Sequence, residues 1–389
     1  MIRCIPAVVL AVGLTACASS TPAPPPLDTN TDETSGLFRP DQIAAILAAS
    51  GIEYVPISDM PVARQEVPAL MSRPSKNTGP MDPFVEVKRR PDGRPHLESS
   101  RPGPEVEALF DAGTSACEAR DFEAARTIYA RAVELAPDYF KAYTYLGNSL
   151  YQLGDYRRAE VAFERALSIN PIDYQALLFL GDTYYQLGDY GRSKSVLTRA
   201  FMINRDNPAV LERLQAALAK LSLRVRDVRL APPVKIQRVA HRRVEMRFDK
   251  DQGLRWLALA ACMACWAYED ECRGRSPVDE DPLRLQMHRE CLINQAASIA
   301  VRRAHEEELG VSEGLLLDAI EDGYLEAIIF WEIIASHAPV VILLLPEAVQ
   351  ADILEYIERY VFQTTQVVEL TPTRPAPSSV LAALADVPR

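Results

Sequence analysis

Residues 151–156 read Tyr-Gln-Leu-Gly-Asp-Tyr, and the same six residue types return at 185–190. This offset, about 34 residues, predicts a helix–turn–helix unit that cannot bury its apolar face alone and therefore stacks on its neighbours. Gly154 and Gly188 stand where the first helix of each unit must end, because glycine adopts the required positive φ without steric cost. The repeat predicts a stacked helical array.

The residues around this stretch resemble the tetratricopeptide (TPR) repeat. The middle repeat has the family's residue types at Tyr143, Leu146, Gly147, Leu150, Ala159, Phe163, Ala166 and Pro171. The repeat before it matches at Leu109, Gly113, Ala125, Tyr129, Ala132 and Pro137. The repeat after it matches at Leu177, Leu180, Gly181, Tyr184, Leu197 and Ala200.

The third repeat departs from the family pattern at two positions, where Ser193 replaces an Ala and Arg205 replaces the Pro. These departures predict that the array ends there. A capping helix is then expected from Pro208 to about Leu221, and its inner face would carry Leu211, Leu214 and Leu218. The resemblance therefore covers residues 104–221, as three repeats with a capping helix.

The resemblance implies a concave groove, lined by the first helix of each pair, that binds an extended peptide or a partner helix. Carried over by position, the groove residues are Lys141, Asn148, Tyr151, Gln152, Leu178, Asp182, Tyr185 and Gln186, with Thr144 and Gln175 between them and Glu107, Phe110 and Thr114 extending the row. Tyrosine combines apolar area with a polar tip, so Tyr151 and Tyr185 are expected to dominate binding. Lys141 is nearly the only cation, which argues against the TPR subtype that grips a C-terminal carboxylate. The alternative is that the repeats are only a spacer or a dimer contact.

The first residues resemble a bacterial lipoprotein signal. Arg3 precedes an apolar run, Ile5 to Leu14, that is too short to cross a bilayer, and the stretch closes on Leu14-Thr15-Ala16-Cys17. The resemblance implies a signal peptide over 1–17 and lipid attachment at Cys17. Because Ala18 rather than Asp follows the cysteine, it also implies the outer membrane, periplasmic face. The alternative is an ordinary secretory signal cut near Ala16 or Ala18.

Residues 18–103 have the composition of a tether. Prolines recur throughout and aromatic residues are few, so the segment is expected to be disordered. One island differs: Asp41 to Ala49 favours a short helix ended by Gly51, and Ile52 to Ile57 favours extended chain. This island is either a weakly ordered segment or a motif that folds against a partner.

Beyond the repeats, residues 222–250 are basic and extended, which predicts a linker or a hairpin. Residues 251–362 show helical periodicity and predict a bundle of four or five helices, followed by a disordered tail over 363–389. The apolar run Ala327 to Leu345 is long enough to span a membrane, but Glu332, His337 and Pro339 interrupt it. An ionisable residue in mid-membrane costs about 2.5 kcal/mol or more, so buried core is the favoured interpretation.

Four residues of the predicted bundle form a possible cluster: Cys262 and Cys265 on one helix, and His288 and Cys291 on the next. If the loop spans 273–281, an antiparallel hairpin places the two pairs at the same height. Three outcomes remain open: a disulfide of Cys291 with Cys262 or Cys265, free buried thiols, or a zinc site. Cys272 is expected to stay out of any bridge, because on one helix it lies about 10.5 Å from Cys265.

The composition excludes some functions. With 42 Lys and Arg against 53 Asp and Glu, the net charge of −11 argues against nucleic acid as the partner. His305-Glu306 begins like a zincin motif, but Leu309 stands where the second His is required. The sequence has neither a Gly-rich phosphate loop nor a Gly-x-Ser-x-Gly elbow. An enzyme is therefore not expected, and no cofactor is expected.

Taken together, the sequence predicts an all-α chain: a TPR α-solenoid followed by a helical bundle, behind a disordered tether. The predicted function is a membrane-tethered periplasmic scaffold that binds protein partners and helps assemble or position an envelope machine. Pilus-secretin pilotins and gliding-motility lipoproteins resemble this combination in architecture alone. The alternative is an envelope enzyme or metalloprotein with its chemistry in the C-terminal helical domain and the repeats as a substrate dock.

Overall fold

The computed structural model describes residues 37–60, 85–91, 95–226, 234–249, 253–275, 284–336 and 341–365. The chain divides into two compact units. One is drawn from residues 65–229 and 326–375, and we call it the repeat unit. The other is drawn from 1–64, 230–325 and 376–389, and we call it the mixed unit because it combines a sheet with helices.

The α-helices in chain order are α1 Pro40–Ala49, α2 Pro104–Glu118, α3 Phe122–Leu135, α4 Phe140–Gln152, α5 Tyr156–Ile169, α6 Tyr174–Gln186, α7 Tyr190–Ile203, α8 Pro208–Lys220, α9 Leu257–Tyr268, α10 Asp270–Arg273, α11 Leu285–Ala304, α12 Val311–Glu321, α13 Leu325–Ala327, α14 Val341–Leu344 and α15 Glu347–Tyr356. A 3-10 turn covers Gly253–Trp256, and π-helices cover Ile328–Ile334 and Ile357–Val361. The strands are β1 Glu53–Met60, β2 Val85–Arg89, β3 Pro95–Ser99, β4 Leu223–Val225, β5 Val234–Ala240, β6 Arg243–Asp249 and β7 Phe362–Thr364.

The repeat unit contains the predicted array. Helices α2 to α7 form three pairs, and α8 follows as the capping helix with Leu211, Leu214 and Leu218 buried. Each second helix begins at an aspartate whose side chain accepts a backbone N–H three residues on, namely Asp121, Asp155 and Asp189. This N-cap satisfies one of the unpaired donors of the first turn. The turns before these caps contain Gly154 and Gly188 at φ +78° and +77°, as predicted.

Close helix packing explains a second series of glycines that follows the period of the repeat. A Cβ added to Gly113 would lie 2.5 Å from Tyr129, at Gly147 2.7 Å from Phe163, and at Gly181 2.5 Å from Leu197. In each pair the aromatic or leucine side chain of the second helix occupies the space that a side chain at the glycine would need. The ring or leucine therefore fixes how closely the two helices of a repeat approach.

The two departures in the third repeat have structural causes. The buried Ser193 donates from Oγ to the carbonyl of Gly181 at 2.8 Å, a bond that Ala could not make. Arg205 is buried, and its guanidinium lies 4.2 Å from the ring centroid of Trp331. The array is thus extended by residues from the 326–364 segment, whose helices α14 and α15 pack on α7.

Other contacts close this end of the repeat unit. Strand β4 pairs antiparallel with β7, so the predicted disorder of the tail 363–389 is wrong for Gln363 and Thr364. The Glu332 carboxylate is buried and receives hydrogen bonds from Arg226 and Tyr356. The prediction that residues 251–362 form one bundle is therefore wrong, because 326–362 belong to the repeat unit. Within the repeat unit, α14, α15 and the π-helix Ile357–Val361 contact α7.

Residues 85–100 also belong to the repeat unit. Strands β2 and β3 form an antiparallel hairpin, whose Val85 carbonyl accepts a hydrogen bond from Asn170 at 2.9 Å. The Ser100 carbonyl accepts another from the Tyr139 hydroxyl at 3.1 Å. The predicted disorder of 18–103 is therefore wrong for this hairpin, because it has side-chain partners on the array.

In the mixed unit a three-stranded sheet has the order β1-β6-β5, with β1 parallel and β5 antiparallel to β6. Val244, Met246 and Phe248 of β6 are buried. Helix α1 buries Ile43, Ile46 and Leu47 and packs on α9 and α11. Residues 37–60 thus form the predicted short helix and extended stretch. Because they pack on α9, α11 and β6, the predicted disorder of 18–103 is wrong for them too. The basic stretch 222–250 is likewise no simple linker, because it supplies β4 and the β5–β6 hairpin.

Helices predominate, as predicted, and the strands add to them. Within the part of the chain that the structure describes, no helix has both the length and the apolar character needed to cross a membrane. Ile328, Ile329, Phe330 and Trp331 of the predicted core run are buried. The signal peptide with Cys17, residues 18–36 and 61–84 of the tether, and the tail from 366 lie outside the described residues.

Candidate functional site

The first helices of the second and third repeats and the capping helix lie side by side, since α4 contacts α6 and α6 contacts α8. We call the surface that these helices and α2 present at the predicted groove positions the groove face. Its positions recur with the period of the repeat, so that Glu118, Gln152, Gln186 and Lys220 form one row. Asn148, Tyr151, Asp182 and Tyr185 are partly exposed there, and Gln152 and Gln186 are exposed.

Lys141 is not a groove residue that a partner can reach. Its side chain is fully buried, and Nζ donates to Asp173 Oδ1 at 2.7 Å and to Gln175 Oε1 at 2.8 Å. Asp173 caps α6 and also accepts from Thr144 Oγ1 at 2.6 Å. Because a buried lysine needs charged or polar partners, this network joins the second repeat to the third. The prediction that Lys141 contacts the partner is wrong.

Leu178 is also mostly enclosed, with 7% of its surface exposed. Phe110 and Thr144 are buried as well. The reachable part of the predicted set is therefore Glu107, Thr114, Asn148, Tyr151, Gln152, Gln175, Asp182, Tyr185 and Gln186. Asn148 Oδ1 is buried without a hydrogen-bond partner, so it retains an unused acceptor.

The two groove tyrosines are held in the same way. Tyr151 makes an edge contact with Tyr156 at a centroid distance of 5.4 Å, and Tyr185 makes the equivalent contact with Tyr190 at 5.2 Å. Burial and the nearby Asp182 carboxylate raise the pKa of the Tyr151 hydroxyl above its ordinary value. The hydroxyl therefore remains neutral and able to donate at physiological pH.

The capping helix contributes groove residues that were not predicted. Arg213 Nε donates to Asp182 Oδ2 at 2.7 Å, and Arg213 Nη1 donates to the Ala209 carbonyl at 3.1 Å. Burial raises the pKa of Asp182, although Arg213 opposes this. Glu212 stands one repeat period after Leu178 and is exposed. The same spacing, extended into α8, could have identified it.

Family models of the tetratricopeptide repeat match residues 110–156 and 150–221. Residues 110–221 form a TPR array. The matches agree with the helix pairs described above and leave the mixed unit unassigned. A comparison with curated protein sequences finds no significant match.

Solved structures similar to the chain are also TPR proteins. The Sgt2 TPR domain from Aspergillus fumigatus is 22% identical over 31% of this chain and 81% of that chain, with a TM-score of 0.30. The Arabidopsis OM64 TPR domain is 17% identical over 30% and 95%, with a TM-score of 0.29. YrrB, described as a TPR protein with an unusual peptide-binding site, is 17% identical over 59% and 90%, with a TM-score of 0.27. Likenesses this distant carry no information about a partner of this chain.

The cysteines of the mixed unit form two disulfides. Cys262 and Cys291 are bonded with their Cα atoms 5.2 Å apart, which confirms one of the pairings predicted from the hairpin. Cys265 is bonded to Cys272 at a Cα distance of 5.8 Å, so the prediction that Cys272 stays free is wrong. The reason is a break in the helix: α9 ends at Tyr268, Glu269 is extended at φ −103° and ψ 134°, and α10 then begins.

These bonds leave no thiolate among the four cysteines for the zinc alternative. In the described ranges, no group of three or more His, Cys, Asp or Glu side chains is arranged to hold a metal ion. His288 lies on α11 outside any such group.

Two glutamates beside the disulfides hold the N-terminal segment. The fully buried Glu290 accepts from the Phe38 amide and from Trp266 Nε1 at 3.1 Å each, and from Arg275 Nη1 at 2.6 Å. Glu269 accepts from the hydroxyls of Ser50, at 2.7 Å, and Tyr54. Both carboxylates therefore have structural partners on residues 37–60.

Proposed function

We propose that the protein is a membrane-tethered periplasmic scaffold that binds protein partners on its TPR groove face and helps assemble or position an envelope machine. The observation that carries this proposal is the row of half-exposed polar and aromatic side chains along α4, α6 and α8. TPR arrays are protein-interaction modules, so a protein–protein scaffold follows from the array itself.

The groove face has the composition of a protein-binding surface. Tyr151 and Tyr185 offer rigid aromatic area with polar tips, and tyrosine is enriched among the residues that dominate binding energy. Gln152, Gln186 and Asn148 lie beside them and pair readily with peptide groups. The face thus suits a peptide or helix better than a small apolar ligand.

The disulfides support an extracytoplasmic location. Structural disulfides persist in oxidising compartments such as the bacterial periplasm and are rare in the cytosol. Two buried disulfides in the mixed unit, together with the Leu-Thr-Ala-Cys stretch at 14–17, fit an exported lipoprotein. Residues 18–37 are all that separates Cys17 from Phe38. A chain of that length spans about 70 Å at most, so lipid at Cys17 would keep the mixed unit near the membrane.

The tether is tested by replacing the lipid-accepting cysteine. Cys17→Ala should abolish labelling with a palmitate analogue and leave the precursor uncleaved by lipoprotein signal peptidase. Cys4→Ala, which removes the other cysteine of the leader, should label as the wild type does. Unchanged labelling of the Cys17 variant would refute lipid attachment.

The scaffold role is tested in the native membrane. The lipoprotein is crosslinked in cells, purified under denaturing conditions, and its adducts are identified by mass spectrometry. The proposal expects adducts to proteins of one envelope assembly, with crosslinks on α4, α6 or α8. Crosslinks that avoid these helices throughout would favour the repeats as a spacer.

A further inference from the structure

The groove face carries more unpaired carboxylates than cations. We infer that it takes an extended peptide rich in lysine or arginine, an inference that rests on the proposed protein-binding role of the groove. The charges and the aromatic rings of this face favour such a ligand.

Carboxylates outnumber cations at the groove positions. Glu107 and Glu118 on α2 and Glu212 on α8 are exposed and have no ion-pair partner among the described residues. Asp182 is neutralised by Arg213, whose Nε lies 2.7 Å from its Oδ2. The one exposed cation at these positions of the described array is Lys220, whose Nζ lies 5.7 Å from the Tyr190 ring centroid. The groove face therefore has an excess of negative charge.

The burial of Lys141 adds to this excess of negative charge. Read from the sequence, Lys141 would offset one glutamate at the centre of the groove. In the structure its ammonium group is fully buried against Asp173 and Gln175, where it offers no charge to a ligand. An acidic ligand would consequently meet no exposed cation at the described groove positions of α4 or α6.

The aromatic rings of the groove face have the same preference. Tyr151 and Tyr185 are half-exposed on the same helices, and tyrosine rings attract lysine and arginine by cation–π interaction.

Peptide binding to the purified chain tests the inference. Three fluorescent decapeptides of matched length serve as probes, one alternating Lys and Ser, one Glu and Ser, and one Gln and Ser. Affinity is measured by anisotropy at low and at high ionic strength. The basic peptide should bind at least about tenfold more tightly than the neutral one, the acidic one should bind least, and salt should reduce the difference.

A variant that removes three negative charges from the groove face tests whether these carboxylates cause the preference. Glu107→Gln with Glu118→Gln and Glu212→Gln should weaken the basic peptide by about tenfold, as expected for three solvent-exposed ion pairs. The matched control, Glu271→Gln with Glu306→Gln and Glu355→Gln, makes the same change in net charge at exposed positions off the groove face. It should bind as the wild type does.

The outcomes separate this inference from the proposed function. Equal binding of the three peptides, or equal losses in the two triple variants, overturns the cationic preference. If crosslinks to native partners still fall on α4, α6 or α8, the scaffold role stands without it. If the acidic peptide binds best, the groove face prefers anionic peptides and the inference is wrong.

Discussion

Arg205 donates from Nη1 to the carbonyl of Trp331 at 2.7 Å, and its guanidinium lies over the Trp331 ring. Arg205 stands where a TPR has proline, and Trp331 lies 126 residues further along the chain, in the segment 326–375 of the same repeat unit. The last repeat thus has an arginine in place of the family's proline, and this arginine binds Trp331 of the segment 326–364. A proline at 205 would have neither the donor nor the planar cation that this contact uses.

Removal of that contact should destabilise the repeat unit. Arg205→Ala is expected to lower the free energy of unfolding by about 2 kcal/mol, because buried hydrogen bonds from a charged group contribute about 1.5–3 kcal/mol. Arg158→Ala, which removes an exposed ion pair with Asp155, should change it by less than about 1 kcal/mol. Urea denaturation followed by circular dichroism measures both. Equal effects of the two variants would mean that the Trp331 contact is not a major source of stability.

The glycines between paired helices should tolerate no side chain. Gly147→Ala places a Cβ 2.7 Å from the Phe163 ring, and such overpacking costs about 1–3 kcal/mol. Gly314→Ala on α12 meets nothing within 4 Å and should stabilise the chain by about 0.5–1 kcal/mol, because alanine favours the helix. Thermal denaturation of both variants checks the contrast in sign. A stabilised Gly147 variant would contradict the close approach of α4 and α5.

The disulfide pattern makes a direct chemical prediction. Alkylation of the non-reduced mature protein should label Cys117 and none of Cys262, Cys265, Cys272 and Cys291. Digestion should yield one crosslinked pair containing Cys262 with Cys291 and another containing Cys265 with Cys272. In Cys272→Ser, Cys265 should become reactive while the other bond remains. Recovery of a Cys265–Cys291 pair would show that the helix break at Glu269 is misplaced.

Stability should depend on pH through Glu313. Burial would raise the pKa of Glu313, but hydrogen bonds from Arg302, the Gly310 amide and Arg255 outweigh it and lower the pKa below 4.5. A carboxylate whose pKa is lower in the folded state than in the unfolded state stabilises the fold at any pH above the unfolded-state pKa. This stabilisation is lost as the pH falls through the folded-state pKa. Glu313→Gln should therefore destabilise the chain at pH 7, and the difference from wild type should shrink progressively below about pH 4.5.

An exposed glutamate controls for the change of residue type. Glu306→Gln, at a position without an ion pair among the described residues, should leave the stability at either pH within about 0.5 kcal/mol of wild type. Melting temperatures measured across the pH range for both variants check the prediction. A Glu313 variant that stays equally destabilised at low pH would mean that shape, not charge, matters at this site.

The TPR array was predictable from the sequence because the residues that define each repeat lie close together in the chain. The period of the repeat, the turn glycines and the small residues between paired helices all act within one repeat, so the pattern fixes both helices and their packing. The register of the repeat also predicted which positions line the groove. It did not predict which of them are exposed, because Lys141 is buried against Asp173 of the next repeat and the spacing of the sequence does not show that contact.

The mixed unit was less predictable because its pairings are distant. The extended stretch of β1 was predicted, but its parallel pairing with β6 was not, because Glu53 and its partner Arg243 lie 190 residues apart. The break between α9 and α10 carries no glycine or proline, so the sequence predicts one continuous helix through Cys265 and Cys272. The hairpin argument still placed Cys291 beside Cys262 or Cys265, because antiparallel helices fix relative height regardless of that break, and Cys262 is the partner found.

Partner capture with and without the groove tyrosines tests the central claim most directly. Tyr151→Ala with Tyr185→Ala should weaken capture of crosslinked partners by about 2–4 kcal/mol, as expected for aromatic residues at the centre of an interface. Tyr143→Ala, on α4 but away from the groove positions, serves as the control, and circular dichroism should show unchanged helicity in the double variant. Loss of the same adducts in the double variant alone is the predicted result. Full capture by the folded double variant would contradict the account and leave the TPR array as a spacer.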